Sequence, residues 1–295
     1  MIDYIIYTLV FTVITLLIPP LMDGVERKIK ASIHSRIGPP ITQTWYDLLK
    51  LFEKETVIPE GGLHIIILSL LYIVLTILAM ILLISMVLSG YQYVLVVLIA
   101  LALFIQAIHT TIPFITSNPF AIIGASREVV IALVNEVFFI VSLGLYMYFT
   151  GSSALQPGSM DILKPSILIL VIALFVSAYV SSGRIPFDIA EAEPELASGA
   201  LIEFGGPILG VFLYSNLVRK LFFKLLPSIL ILLPFTSDNL YLLVYSMALS
   251  LGLWVLYGVV AALLGRTRVD IAPSSLLKIY IPFIIVSILM YLLGY

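Results

Sequence analysis

The 295-residue chain has no cysteine, three histidines, two tryptophans and only 11% charged residues. Without cysteine there are no disulfides, no thiolate metal sites and no cysteine-ligated iron-sulfur clusters. His34, His64 and His109 are scattered and show no ligand spacing, so any redox cofactor of the system must sit in a partner. The charged fraction is far below the roughly 25% of soluble globular domains. In its place stand 61% hydrophobic residues and a mean hydropathy of +1.17. This is the composition of an all-α, polytopic membrane protein.

Runs of about 20 apolar residues match the roughly 30 Å hydrocarbon core of a bilayer. Eight are predicted, at about 4–22, 65–89, 91–117, 129–149, 165–183, 200–218, 239–264 and 278–295. The second, third and fifth hold no Asp, Glu, Lys or Arg. The stretch 225–235 is apolar but too short to span and holds Pro227 and Pro234, which predicts a re-entrant or interfacial segment after the sixth helix. The first run is longer than a signal-peptide core and lacks a basic start or small-residue cleavage site, so it reads as a helix of the mature protein. Residues 1–295 then form one membrane domain, with a cytoplasmic loop at 23–64 and an acidic cytoplasmic loop at 184–206 leading into the sixth helix.

The loops set an orientation. With the N-terminus outside, the inner side carries Arg27, Lys28, Lys30, Arg36, Lys50, Lys54, Arg127, Arg184, Arg266, Arg268 and Lys278. The outer side carries Lys164, Arg219, Lys220 and Lys224. That split fits the positive-inside rule for a plasma-membrane protein with both termini outside. Acids follow the same side: of 17 Asp and Glu, only Asp3, Asp161 and Asp238 fall outside. An ionisable group at membrane depth costs about 2.5 to 3.5 kcal/mol on insertion scales, which makes each one a functional candidate.

In "GASREVVIALVNEVFF" Glu128 stands at the predicted helix mouth and Glu136 eight residues on. In "SSGRIPFDIAEAEPELASGALIEFGGP", residues 181–207, Pro194 suits a first helical turn and Glu195 the positive end of the helix dipole. Glu203 follows eight residues later, on nearly the same face and about 12 Å deeper in a continuous helix. Each of two helices thus carries one carboxylate at the rim and one inside, which predicts a polar path from the cytoplasm. Glu136 and Glu203 have no base near them in their own helices, which favours a proton-path or field-coupling role. Asp188, Glu191 and Glu193, nearer the surface, equally suit pairing with Arg36, Arg127 or Arg184.

In the first loop, "DLLKLFEKETV" from Asp47 sets Leu48, Leu49, Leu51 and Phe52 among Lys50, Glu53 and Lys54, a pattern for a short amphipathic interfacial helix. Trp45 and Tyr46 suit headgroup anchors. Gly38-Pro39-Pro40 ends any helix before it. Two uses fit: an ordinary membrane-surface helix, or a platform for a soluble redox subunit whose acids meet Arg36 and the neighbouring bases. The bases alternate with acids between two spans, which excludes a nucleic-acid patch.

"ERKIKASIHSRIGPP", "YDLLKLFEKETVIPE", "GASREV", "GRIPFDIAEAEPEL" followed by "EFGGP", and "GRTRVD" run in order from about residue 26 to 278. Together they resemble the signatures of the membrane subunit of respiratory complex I that joins the membrane arm to the peripheral arm. In quinone-reducing members the first loop typically continues after "GP" with "NRVG". Here "GPPITQTWYDLLKLFEKE" is more similar to the subunit of energy-converting membrane-bound [NiFe] hydrogenase, formate hydrogenlyase and archaeal membrane-bound sulfane sulfur reductase. Abundant isoleucine is compatible with a thermophilic archaeal source.

The resemblance implies a ferredoxin-fed complex in which this chain is a non-catalytic anchor with no metal of its own. Its partners would be hydrogenase-large-like and iron-sulfur peripheral subunits, holding iron-sulfur clusters and, if the complex is a hydrogenase, a NiFe centre, together with antiporter-like membrane subunits. Glu128, Glu136, Glu191, Glu193, Glu195 and Glu203 would form an acidic funnel coupling redox events to proton or sodium movement. Arg36, Arg127, Arg184 and Asp188 would shape the cavity at the arm junction. Trp45, Tyr46, Asp47, Lys50 and Lys54 would belong to the docking helix. The alternative within the family is the complex I subunit itself, with a quinone chamber between the first helix, the amphipathic segment and helix six. A free-standing transporter binding a cation at Glu136 and Glu203 lacks the expected internal repeat, and a purely structural anchor has no need of buried carboxylates.

Overall fold

The computed structural model describes residues 2–56, 62–90, 93–116, 118–152, 155, 164–189 and 201–294. Among these residues there are nine α-helices, two short 3-10 turns and no strand. Helix α1 runs Ile2–Ile33, well beyond the predicted 4–22, and keeps Pro19 and Pro20 inside it. It continues because its polar end is laced at i,i+4: Arg27 Nε lies 2.9 Å from Asp23 Oδ2, and Lys30 Nζ lies 2.8 Å from Glu26 Oε1. Short helix α2, Gln43–Phe52, starts four residues ahead of Asp47. Then follow α3, Gly62–Ser89, and α4, Val94–Thr111, which ends in a 3-10 turn at Ile112–Ile115.

Helix α5, Pro119–Thr150, begins ten residues before the predicted span. Asn118 caps it, its Oδ1 accepting from the Phe120 N–H at 2.9 Å, and Pro119 fills a first-turn position that needs no donor. Helix α6 is Pro165–Ser181, α7 is Gly206–Leu232, α8 is Asn239–Leu263 and α9 is Ala272–Leu292.

Helix α7 corrects the prediction most. The span 200–218 starts at Gly206, and the expected re-entrant segment at 225–235 is mostly its continuation; only Leu233–Phe235 forms a 3-10 turn. Pro227 lies inside the helix, where its missing N–H removes one backbone bond. Packing overrides that loss, because α7 touches α1, α2, α3, α6 and α8. Arg219, Lys220 and Lys224, expected in an outer loop, therefore lie on the middle turns of the helix, with Arg219 and Lys224 buried. Three of the four bases assigned to the outer side thus lie within a helix rather than in a loop.

Helices α1, α3, α4, α5, α8 and α9 are long and apolar enough to cross a membrane. Helix α6 is apolar over 17 residues. Helix α7, at 27 residues, extends about 40 Å and carries the three bases. With these two the polytopic, all-α architecture is complete. Outward faces stay apolar, as Ile5, Leu9, Val13 and Leu17 on α1 illustrate, which suits hydrocarbon rather than water. On one flank α9 packs against α5 and α6, where Tyr280 stacks on Phe138 at 4.5 Å.

Helix α8 meets α1 at Gly258, where a Cβ would stand 2.7 Å from Glu26 Cγ. Gly258→Ala is expected to destabilise the chain by about 1–3 kcal/mol through overpacking. Thermal unfolding in detergent measures this, and an unchanged midpoint would refute the close approach.

Candidate functional site

Helix α2 is fastened to the polar end of α1 by side chains. Arg27 bridges Asp23 at 2.9 Å and Asp47 at 3.0 Å; Gln43 Nε2 donates to Asp47 Oδ1 at 2.8 Å, and Thr44 Oγ1 to Asp23 Oδ2 at 2.9 Å. Leu48 is buried beneath. The predicted headgroup pair is split: Tyr46 points outward with Leu49, whereas Trp45 is half-buried against Tyr214 of α7 at 6.2 Å, and the Phe52 ring reaches Gly210 of α7. Lys50, Lys54 and Arg36 are exposed.

Behind α2 lies a cavity of about 250 Å³, walled by α1, α2, α4, α5, α7 and the segment after α6. Charged groups reach it from every side: Asp23, Arg27, Asp47, Glu128, Asp188, Arg219 and Lys220. Glu128 does not stand at a helix mouth, since α5 starts nine residues earlier, and it meets His109 Nε2 at 2.8 Å through Oε1. His109 is itself buried and stacked on Phe212 at 5.1 Å. Arg219 donates to Gln106 Oε1 and, at 2.9 Å, to Asn216 Oδ1. Asn135, also on the wall, donates to Ser181 Oγ at 2.8 Å and accepts from the Tyr280 hydroxyl at 2.5 Å, tying α5, α6 and α9 together. Such interhelical bonds contribute on average about 0.6 kcal/mol each in membranes.

Beneath the rim, Arg184 grips Glu26 with two parallel bonds, Nε to Oε1 at 2.9 Å and Nη2 to Oε2, and its Nη1 donates to Ser182 Oγ at 3.0 Å. Side chains of both are at most 7% exposed. The guanidinium also lies 5.5 Å from the Trp254 ring centroid and 6.0 Å from that of Tyr257, within cation-π range. Asp188 Oδ2 accepts from Arg266 at 3.2 Å, and Thr267 bonds the Pro186 carbonyl through both its N–H and hydroxyl. The loop after α8 is thereby held against the loop after α6.

The acids predicted to line a path do not all meet. Glu203 is not part of a helix running deeper from Glu195. It lies in a turn before α7, because Gly206 adopts a positive φ of 54° and its missing Cβ admits the Glu55 carbonyl. Its Oε1 accepts from Asn118 Nδ2 at 2.6 Å. Glu136 sits on α5 about 12 Å beyond Glu128, outside the cavity wall, and its Oε1 is buried with no hydrogen bond among the described residues. Glu191, Glu193 and Glu195 lie outside the described residues. Of the four junction residues, Asp188 lines the cavity, Arg184 is buried in its pair, Arg127 is half-buried on α5 and Arg36 is exposed. Sequence reasoning missed Glu26, Gln106, His109, Arg219 and Lys224. The bases at 219, 220 and 224 inside an apolar run were a usable signal, since helical spacing sets Lys220 and Lys224 one turn apart; His109 carried none.

The sequence pattern of the family described as NADH dehydrogenase matches residues 5–292. The chain belongs to the NADH dehydrogenase subunit 1 family. Within that family it is similar to Hydrogenase-4 component C of Escherichia coli, at 34% identity over 214 residues, covering 68% of this chain and 67% of the relative. It is also similar to NADH-ubiquinone oxidoreductase chain 1 of Salmo salar, at 31% over 253 residues, covering 79% and 76%. Its fold matches a chain in the solved structure of the membrane-bound sulfane sulfur reductase, an archaeal respiratory membrane complex, with a TM-score of 0.81 and 24% identity over 99% of this chain and all of that one. The helical order is therefore the family's, and the buried Glu26 to Arg184 pair stands within it.

Glu26→Gln leaves the Arg184 guanidinium buried without its anion and is expected to cost about 3–5 kcal/mol of stability. Adding Arg184→Met to that variant should restore part of the loss. Thermal unfolding of the single and double variants in detergent measures both effects, and additive losses would contradict direct pairing.

Proposed function

We propose that this chain is the membrane anchor and ion-path subunit of a complex I-related, ferredoxin-linked redox complex of the hydrogenase or sulfur-reductase type. Its inner face, formed by α2 and the loops after α1, α6 and α8, receives the peripheral arm. That arm consists of hydrogenase-large-like and iron-sulfur subunits, whose clusters carry the electrons. Antiporter-like membrane subunits continue the path laterally. The peripheral arm lies on the cytoplasmic side, and both termini lie outside.

One observation carries the ion-path reading: Glu136 holds a buried carboxylate oxygen without a hydrogen bond among the described residues, about 12 Å along α5 from a cavity that Glu128 lines. An ionisable group at that depth is costly to keep unless it is used. The cavity has room for several waters, so a proton delivered at Asp23, Asp47 or Asp188 has a hydrated route to the His109 and Glu128 pair. A change of charge in the peripheral arm would alter the field at that pair and hence the proton occupancy of Glu136. The family match to NADH-ubiquinone oxidoreductase chain 1 supports a second reading, a quinone-headgroup site in the same cavity. At about 250 Å³ that cavity lies below the usual 300 to 1,000 Å³ of small-molecule sites.

The experiment is purification through a tag on this chain in mild detergent, with identification of the accompanying subunits and metal analysis for nickel and iron. Iron with nickel supports the hydrogenase type, iron alone the sulfur-reducing or quinone-linked type. Purification of the chain alone, moving ions without partners, rejects the complex-subunit reading. In the assembled complex, Glu136→Gln should leave electron transfer in place and abolish coupled ion movement, measured in proteoliposomes; undiminished pumping would remove Glu136 from the path.

A further inference from the structure

Lys224, on α7, is fully buried. Its Nζ donates to the Lys220 carbonyl at 2.9 Å and stands 4.2 Å from the ring centroid of Trp254 and 5.7 Å from that of Tyr257. The same two rings carry the Arg184 guanidinium, whose carboxylate partner is Glu26. Two buried cations thus share one aromatic wall and one nearby acid, which Lys30 also contacts. Among the described residues no carboxylate forms an ion pair with Lys224. One carbonyl and two π faces replace only part of the hydration of an ammonium. Lysine can relieve that deficit by giving up its proton, whereas arginine cannot.

The groups that face Lys224 are Glu26 of α1, Arg184 after α6, Tyr257 of α8, and Lys220 and Arg219 on its own helix. From α6, Tyr179 stands edge-on to Tyr257 at 5.1 Å. Helix α3 brings no Asp, Glu, Lys or Arg, and α2 meets α7 at Gly210, about 21 Å along the helix. Lys220, whose carbonyl accepts from the ammonium, also lines the cavity, so Lys224 stands one helical turn from the cavity wall.

We propose that Lys224 is a reversible proton carrier, loaded from the water of the charged cavity and coupled to the Glu26 to Arg184 pair beside it. The proposal rests on the ion-path reading above and adds to it a carrier on α7. The step is acid-base exchange: the amine lone pair accepts a proton from hydronium and leaves water, and the ammonium returns that proton to water on release. The protonated form adds a second buried cation next to Glu26 and weakens the hold of Arg184; the neutral form leaves Arg184 sole buried claimant. Proton occupancy at Lys224 thereby reaches the pair that joins α1 to the loop after α6.

Trp254 reports the state, since the loss of a positive charge over an indole face changes its environment. The probe is the full-length chain in mild detergent carrying Trp45→Phe, which leaves Trp254 as the only tryptophan. Its emission across pH should show a single one-proton transition, lost in Lys224→Met and lost in Lys224→Arg, where the cation is permanent. Thermal unfolding identifies a variant that fails to fold, and the conservative Lys224→Arg then decides. Absence of any transition in the Trp45→Phe chain overturns the proposal without a variant. A transition that survives in Lys224→Arg also overturns it, assigning the titration to Glu26 or Tyr257. No partner or transport is involved in this readout, so its failure is distinct from a failure of Glu136→Gln to uncouple the complex.

Discussion

Glu26 and Arg184 stand 158 positions apart in the chain and meet in a bidentate bond from which water is nearly absent. An ion pair at that depth stands only when each charge is fully answered, and here every neighbour contributes. Ser182 takes one guanidinium nitrogen, Lys30 shares the carboxylate, Trp254 and Tyr257 offer their faces, and Gly258 leaves room for the glutamate stem. Through these contacts one pair joins α1, the loop after α6 and α8. The loop after α8 is locked in turn, by Thr267 on Pro186 and Arg266 on Asp188. This end of the bundle is therefore an electrostatically closed frame, and the cavity is the space this frame and α2 leave between them.

Helix α7 gives the frame its centre. It is polar where a membrane helix is normally apolar, and it stays in place because its neighbours shield those groups. Arg219 turns to Gln106 and Asn216 for neutral acceptors, while Lys224 turns to Trp254 and its own backbone. Arg219 and Lys220 on the central helix, opposite the acids of α1, α2 and α5, make the cavity a place where charges of both signs face one another. In such a site a change of one charge shifts the balance of the others, because a low-dielectric wall screens poorly. On the ion-path reading proposed above, this is how a redox event in a peripheral arm would reach proton occupancy among these groups.

The same arrangement gives α2 two distinct faces. Helix α2 is held to α1 through Arg27, Asp47, Asp23 and Thr44, so its inward face closes the cavity. Its outward face, with Tyr46 and Leu49 beside Lys50, remains available to lipid or to a partner.

Composition and apolar run length by themselves determined the class of the protein, because a bilayer imposes a minimum length of apolar helix that no tertiary contact alters. The ordered motifs around the basic loop, "GASREV" and the Arg-Ile-Pro-Phe-Asp run likewise determined the family. What single-helix periodicity could not supply was partnership. It ended the span at 218 and set 225–235, with Pro227, apart from it, since bases and a proline are costly in an isolated helix and the burial that offsets them comes from five other helices. It extended a helix through Glu203, where the close approach of the Glu55 backbone to Gly206 imposes a turn. It left His109 aside because the acid that binds it lies 19 residues on, on another helix. Only the tertiary structure decided which charges answer which, since pairing depends on distances across helices that sequence spacing does not encode.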